Sequence, residues 1–251
     1  MCSEFQTKTS LKQIEQALAT HVVDKAKDFQ WGSLVRLHTQ APVLELGEEG
    51  PQLVMKIFPA SPMPNSRLSG IGNQSEGADD GETDSEHVQI KRIYEMSRWK
   101  EGFKSHPVLI PMSTFHEFAY WGQEIGTGQE FKIPGEKVLF AAGIAIKPFT
   151  PKGDKDSAFS ILTHTATKQM LKYHHRLIVL LKSDHALEYL EPMDPETRFE
   201  YLIQHRYTGP LEVEKIRNMA KGWEKKTDLQ NAKLHREMLY REVLQKEGVA
   251  G

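Results

Sequence analysis

The sequence predicts an α+β fold, and three observations predict it. Short apolar runs of strand length, separated by turn signals, recur through the first 180 or so residues. Helical patterns stand among them at the N-terminus, in a basic stretch after residue 88, in two short pieces between residues 167 and 191, and in the tail. Strands and helices do not alternate as regular βαβ units, which argues against a doubly wound parallel sheet.

The elements follow in order. "TKTSLKQIEQALATHVVDKAKDF" is an amphipathic helix pattern with Leu11, Ile14 and Leu18 on one side. "SLVRLH", "APVLEL" and "QLVMKIF" read as strands, the last two separated by the turn signal "GEEGP". A proline-rich stretch, "FPASPMPNSRLSG", leads into an acidic loop at about 69–87 whose Gly, Ser, Asp and Glu content suits a flexible surface segment. The basic helix "QIKRIYEMSRWKEGFK" follows. "HPVLIPMSTFHEFAYW" alternates like a strand entering a core, "GQEIGTGQEFKIPGEK" is a glycine-punctuated hairpin or loop, and "VLFAAGIAI" is a buried strand. Then come the strand "AFSILTHTA", the short helix "TKQMLKY", the strand "HHRLIVLLK" and the helix "SDHALEYLE" with Ser183 as its N-cap. From about residue 211 the pattern turns helical, with Leu229, Leu234, Met238 and Val243 as a rough stripe. No internal repeat is present.

Composition narrows the chemistry. At 251 residues, 39% apolar and 26% charged, the chain is an ordinary folded polypeptide with room for a substantial core. Its single cysteine, Cys2, excludes an intrachain disulfide framework and a multi-cysteine metal site, and it suits a reducing compartment. No apolar run is long enough to span a bilayer and the N-terminus lacks a signal-peptide shape, so a cytoplasmic location and no membrane partner are expected. A net charge of −2 leaves room for a local basic patch on nucleic acid. There is no phosphate-binding glycine loop, and the pair at 174–175 lacks the spacing of a metal site, so no cofactor and no metal are expected.

Four features are candidates for chemistry. Removal of Met1 would give Cys2 an α-amine and a thiol on adjacent carbons; by position alone, a lone cysteine near a terminus is more often incidental. Glu117 sits among aromatics in "TFHEFAYW", where desolvation would raise its pKa toward that of a general acid. The same pattern also fits a glutamate on the wet face of an alternating strand. His174 opens an apolar strand, as a held base would, and equally as a capping or surface histidine. "NSR", Asn65 to Arg67, pairs an amide and a guanidinium in a proline-bounded loop, suited to a phosphate and a nearby polar group.

These residues lie within segments that resemble a known family, the SOS response-associated peptidases, whose members process abasic sites in DNA. "MC" followed by Phe5 looks like the family's "MCGRF". "VLIPMSTFHEF" is similar to "CLIPADGFYEW", "FAAGIAIKPF" looks like the strand containing "AGLW", and "FSILTHTATKQMLKYHHRLIVLL" resembles the stretch ending in "IHDRMPVIL". Each match is degenerate; their order, starting from a cysteine at position 2, is more specific. The resemblance implies a single domain with a mixed, largely antiparallel, barrel-like β core flanked by helices. The catalytic part would span 2–192, and 193–251 would form a C-terminal helical extension.

It also implies a mechanism. The α-amine of Cys2 would condense with the ring-opened aldehyde of an abasic site in single-stranded DNA, and the thiol would close a thiazolidine. Reference pKa values of ~7.7–8.0 for the amine and ~8.5 for the thiol suit neutral pH. Glu117 would be the acid/base, His174 would handle the sugar-oxygen proton, and Asn65 (or its rival Asn73) would orient the N-terminus. Arg67 and Arg176 would hold flanking phosphates. Self-processing of Met1, an AP-lyase side reaction, a monomeric state and, in a bacterium, a nucleoid association are expected with it. Several letters depart from the family pattern: Ser3-Glu4 replaces Gly-Arg, "HHRLI" replaces "HDRMP", Met55-Lys56 replaces an aromatic-glycine pair, and "NSRLS" is all that remains of a "NARSET" motif. Two other readings stay open, a non-catalytic DNA- or protein-binding module and an N-terminal-nucleophile amidohydrolase.

Overall fold

The computed structural model describes residues 4–37, 39–58, 97–119, 121–146, 158–174 and 176–225. The proline-rich stretch, the acidic loop at 69–87 and the tail beyond 225 lie outside the described residues. The early strands are β1 (Glu4–Gln6), β2 (Val23–Asp24), β3 (Leu34–Arg36), β4 (Thr39–Gly47) and β5 (Gly50–Phe58). The middle of the chain forms β6 (Pro107–Met112), β7 (Thr114–Ala119), β8 (Thr127–Lys132), β9 (Leu139–Ile146) and β10 (Ala158–Ile161). The last are β11 (Thr163–Thr165), β12 (Arg176–Ile178), β13 (Leu180–Leu181) and β14 (Glu212–Asn218). The helices are α1 (Leu11–Leu18), α2 (Ser97–Ser105), α3 (Lys168–Leu171), α4 (Ser183–Leu190) and α5 (Pro195–His205).

Five strands close on themselves in the order β5-β4-β6-β9-β10, with β10 returning to β5 through Ala158 opposite Ile57. All the pairings are antiparallel except that last one, so the expected mixed, largely antiparallel barrel is present. Closure leaves these strands no open edge. Hairpin β4/β5 is set by the paired Gly47 and Gly50, the latter at φ 112, where a side chain would be strained. Gly143 in β9 has a different reason: a Cβ there would come within 2.5 Å of Ile110 Cδ1 and 2.7 Å of the Ser160 carbonyl oxygen.

A second, open sheet runs β14-β8-β7-β1-β3, and β11 with β12 forms a two-stranded ribbon. The core divides by strand alternation. Leu44, Leu109, Phe140, Ala142 and Ile144 face the helices, packing on Ile14, Trp99, Phe103, Tyr189 and Leu202. Their neighbours Val43, Val108, Ile110 and Ala141 face the other way, onto Phe5, Phe115 and Phe131 of the open sheet. Phe58 joins the two layers, 5.6 Å from Phe5 edge-on and 5.1 Å from Phe159 in a stack.

Three expectations are corrected. "EVEKIRN" is not helical: it is β14, paired along its length with β8. Its alternating charges fit an edge strand with one face to water as well as they fit a helix, and pairing decides. Together with α5, which places Tyr201 and Leu202 in the core, it makes residues 195–218 part of the packed body. Second, α1 is capped by Ser10, whose Oγ accepts the Gln13 N–H, and ends at Leu18. Ala19 turns left-handed (φ 50), the β-branched Val22-Val23 follows, and Val23 and Asp24 pair with β5. Third, Ser183 is the first residue of α4, and the cap position is Lys182. Among the described residues no helix is long and apolar enough to cross a membrane.

Candidate functional site

Strand β7 carries two chemistries on opposite faces. Phe115, Glu117 and Ala119 point inward, whereas Thr114, His116 and Phe118 point outward, as the period of two requires. Glu117 is buried and stands opposite Gln129 of β8. Gln129 is also buried; its Nε2 donates to Thr127 Oγ1 at 2.7 Å and to Glu124 Oε2 at 3.4 Å. A carboxylate therefore sits at the inner surface of the sheet, on the side of the stacked Phe115 and Phe131 rings, with a side-chain amide across from it.

Beyond the end of β7, the buried Trp121 ties this strand to the ribbon. Its indole N–H donates to the Leu171 carbonyl at 2.9 Å, and its ring lies 6.2 Å from that of His174. Leu171 ends α3, which Thr167 caps through the Met170 N–H. The chain then turns tightly: the N–H groups of Tyr173 and His174 both donate to the Met170 carbonyl, at 2.9 and 2.8 Å. That turn delivers His174 to the start of β12, where its Nδ1 is 3.1 Å from the Arg176 backbone nitrogen. His174 and Arg176 are both buried, and Arg176 pairs across the ribbon with Thr165. The buried His164 belongs to the same ribbon, opposite Leu177.

The outer face of the open sheet carries a row of ionisable residues in cross-strand register. Arg36, Glu4, His116, Glu130 and Glu214 lie on β3, β1, β7, β8 and β14, each directly opposite the next. His116 is buried, with Nδ1 3.0 Å from Glu4 Oε1 and Nε2 3.0 Å from Glu130 Oε2. Carboxylates only accept, so both contacts are satisfied together when the ring donates from both nitrogens. Arg217 also donates to Glu4 Oε1, and Arg36 Nε is 3.5 Å from Glu4 Oε2. Partial burial pushes the Glu130 carboxyl up, but hydrogen bonds from His116 and Thr114, with the charges of His116 and Lys8, outweigh it and hold the group below its ordinary value. A cavity of about 410 Å³ opens beside the row, lined by Lys8, Leu34, His116, Glu130 and Arg217 among others.

Of the residues singled out from the sequence, Glu117, His174 and Arg176 are described, and Trp121 is the link between the strand of the first and the turn of the other two. Cys2, Asn65, Arg67 and Asn73 lie outside the described residues. Sequence reasoning did not single out Trp121, Gln129, His116, Glu4 or Arg217 for these contacts. Trp121 and His116 stand in the quoted "TFHEFAYW" segment, but their partners come from register and turn geometry, which a linear reading does not supply. Among the described residues no group of three or more His, Cys, Asp or Glu is arranged to hold a metal ion.

The family model described as SOS response associated peptidase (SRAP) matches residues 1–220. No curated protein matches. Among solved structures, a protein from Bordetella bronchiseptica is 13% identical with a TM-score of 0.62, the match covering 86% of this chain and 100% of that one. A phage-related protein from the same organism is 16% identical, with a TM-score of 0.59 and coverage of 86% and 95%. A protein from Bacteroides thetaiotaomicron is 15% identical, with a TM-score of 0.60 and coverage of 86% and 93%. At these identities the likeness is one of fold. The match over residues 1–220 runs through β14, so the strand that replaced the expected helix lies within the matched region.

Proposed function

The chain belongs to the SOS response associated peptidase family, and we propose that it forms a covalent crosslink to abasic sites in single-stranded DNA through Cys2. Membership links the chain to the SOS response, to peptidase-like chemistry and to DNA in general terms; the reaction, its substrate and its residues are our reading. The α-amine attacks C1′ of the open-chain sugar and water leaves, giving an imine. The thiol sulfur then adds to the imine carbon and its proton passes to nitrogen, closing the five-membered ring. Glu117 supplies and takes up protons in ring opening and imine formation. His174 serves the sugar oxygen, Asn65 or Asn73 orients the amine, and Arg67 and Arg176 hold phosphates. Removal of Met1 by the same cysteine frees the amine, and elimination at the 3′ phosphate from the imine gives the lyase side reaction. The protein acts as a monomer in the cytoplasm, on the nucleoid if the cell is bacterial.

One observation carries this reading: β1 pairs with β7 so that Glu4 stands opposite His116, the neighbour of Glu117. Cys2 is two residues upstream of Glu4, and two residues of chain reach at most about 7 Å. A pairing that brings the strand next to Cys2 in sequence against the strand of Glu117 supports the reading.

The test is incubation of the mature protein with single-stranded DNA carrying one abasic site, read on a denaturing gel. A heat-stable adduct is expected from the wild type and none from Cys2→Ala. No adduct, or one that persists in Cys2→Ala, sinks the proposal. Intact mass is the companion measurement, since retained Met1 blocks the amine. A second reading, a non-catalytic binding module, is favoured by one feature: Glu4 stands where "MCGRF" has an arginine. Equal, weak binding of intact and abasic strands without an adduct would support it.

A further inference from the structure

We propose that Glu4 is the positioning residue of the N-terminus, held by a clamp of His116, Arg36 and Arg217 that fixes the path on which the chain leaves β1 toward Cys2. The chemical consequence of that role rests on the crosslinking reading above; the mechanical role does not.

β1, described over Glu4–Gln6, is a central strand, paired on one side with β3 and on the other with β7. A glutamate at position 4, pointing away from the core, would ordinarily extend into solvent. Here it is 5% exposed. Its two oxygens are engaged from three different strands: His116 of β7 and Arg217 of β14 on Oε1, and Arg36 of β3 facing Oε2. A carboxylate at that depth is tolerable only because opposite charges surround it, and removing one of them leaves the rest of the burial cost uncompensated.

Arg217 reaches Glu4 because of a local irregularity. The register of β14 against β8 shifts between Lys215 and Arg217, and such a bulge re-aims the following side chain. The guanidinium also lies over the Phe118 ring, 5.1 Å from its centroid. One side chain from the far end of the chain thus touches the strand that leads to Cys2 and the residue next to Glu117. His116 completes the set by joining Glu4 to Glu130.

The clamp also accounts for two departures from the family pattern at once. Glu4 replaces the arginine of "MCGRF", and His116 replaces the tyrosine of "CLIPADGFYEW"; in the fold these two positions touch. The acid at position 4 is therefore engaged by protein cations, which removes most of its power to repel a DNA backbone.

The experiment uses the fact that Cys2 is the only thiol, so a nitroxide attached to it reports the N-terminus alone. A restricted spectrum is expected from wild-type protein, a mobile one from Glu4→Gln and from Arg217→Gln, and a restricted one from Arg217→Lys. In parallel, unlabelled proteins are reacted with abasic single-stranded DNA under single-turnover conditions. Glu4→Gln and Arg217→Gln should lower the rate at saturating DNA about ten-fold or more, with the half-saturating concentration within about two-fold, and Arg217→Lys should recover most of the rate. Equal label mobility in wild type, Glu4→Gln and Arg217→Gln overturns the clamp, whatever the reaction does. A raised half-saturating concentration at unchanged maximal rate also overturns it, because the residues then act in binding. If wild type forms no adduct while the label responds as expected, the crosslinking reading fails and the clamp stands. Should Glu4→Gln not fold, the Arg217→Gln and Arg217→Lys pair carries both measurements.

Discussion

The closed barrel and the open sheet differ in where they keep charge. Barrel strands β6, β9 and β10 are apolar almost throughout, and the ion pair linking β4 and β5 joins Lys56 to Glu45 at 2.8 Å. The open sheet keeps apolar rings on one face, with Glu117 and Gln129 at the end of that layer, and sets a five-residue ionisable row on the other. The physical difference is the edge. A closed barrel satisfies its backbone internally and can be stabilised by packing alone. Among the described residues the open sheet ends at β14, which carries charged side chains, and it admits the N-terminal strand β1 between two others. The two regions divide the labour: the barrel is held by packing, whereas the open sheet keeps a buried carboxylate, Glu117, on one face and the ionisable row on the other.

The largest expected effect breaks the barrel. Phe140 is fully buried in β9 against the helices. Phe140→Ala should cost about 3–5 kcal/mol in denaturant unfolding. Below its melting range the variant should still form the abasic-DNA adduct at close to the wild-type rate. A specific loss of reactivity in folded Phe140→Ala would show that the two regions are not separable.

Next comes the reverse case on the sheet. Glu117→Gln preserves volume and should lower the single-turnover crosslinking rate by about 10² or more. Its unfolding free energy should change by less than that of Phe140→Ala. If the rate is unchanged, Glu117 is a structural carboxylate and the chemistry lies elsewhere.

A third substitution returns to the barrel from the opposite direction. Gly143→Ala adds a methyl where Ile110 and the Ser160 carbonyl already stand, so overpacking should destabilise by about 1–3 kcal/mol. Thermal unfolding measures it, and a neutral result would mean β9 and β10 can separate without cost.

How much of this was legible in the sequence divides along the same line. The hairpin of β4 and β5 was marked by "GEEGP" and the buried run of β9 by its length and lack of charge, because both signals are local. The closing contact between Ala158 and Ile57 was not legible, since nothing local marks a parallel pairing across a hundred residues. β14 was misread as helix because an edge strand with one wet face carries the same mixture of Glu, Lys and Arg as a surface helix. On the site side, the strand and turn that hold Glu117 and His174 were recognisable, but the Trp121 link and the Glu4–His116–Glu130 row exist only once register sets residues 112 and 14 positions apart side by side. Alternation alone does indicate that His116 points away from Glu117; it does not name what His116 meets.

The smallest effect concerns the far end of that row and bears on the claim that the sheet's charges, unlike the barrel's packing, make the fold sensitive to acid. The Glu130 carboxyl is held below its ordinary value by His116, Thr114 and Lys8 against the opposing effect of burial. A group whose folded pKa is depressed binds a proton less readily folded than unfolded, so its stabilisation is fully present above the unfolded value of about 4.3 and is lost as pH falls through the lower, folded one. The group is partly exposed, with 22% of its side chain accessible, so the contribution should stay below about 1 kcal/mol. Wild-type unfolding free energy should therefore decline from about pH 4.3 downward, and Glu130→Gln should remove part of that slope while leaving Phe140→Ala-type packing losses independent of pH. Equal acid slopes for wild type and Glu130→Gln would mean that the row holds β1 and β7 by hydrogen bonding and shape, with the charge on Glu130 contributing nothing to the fold.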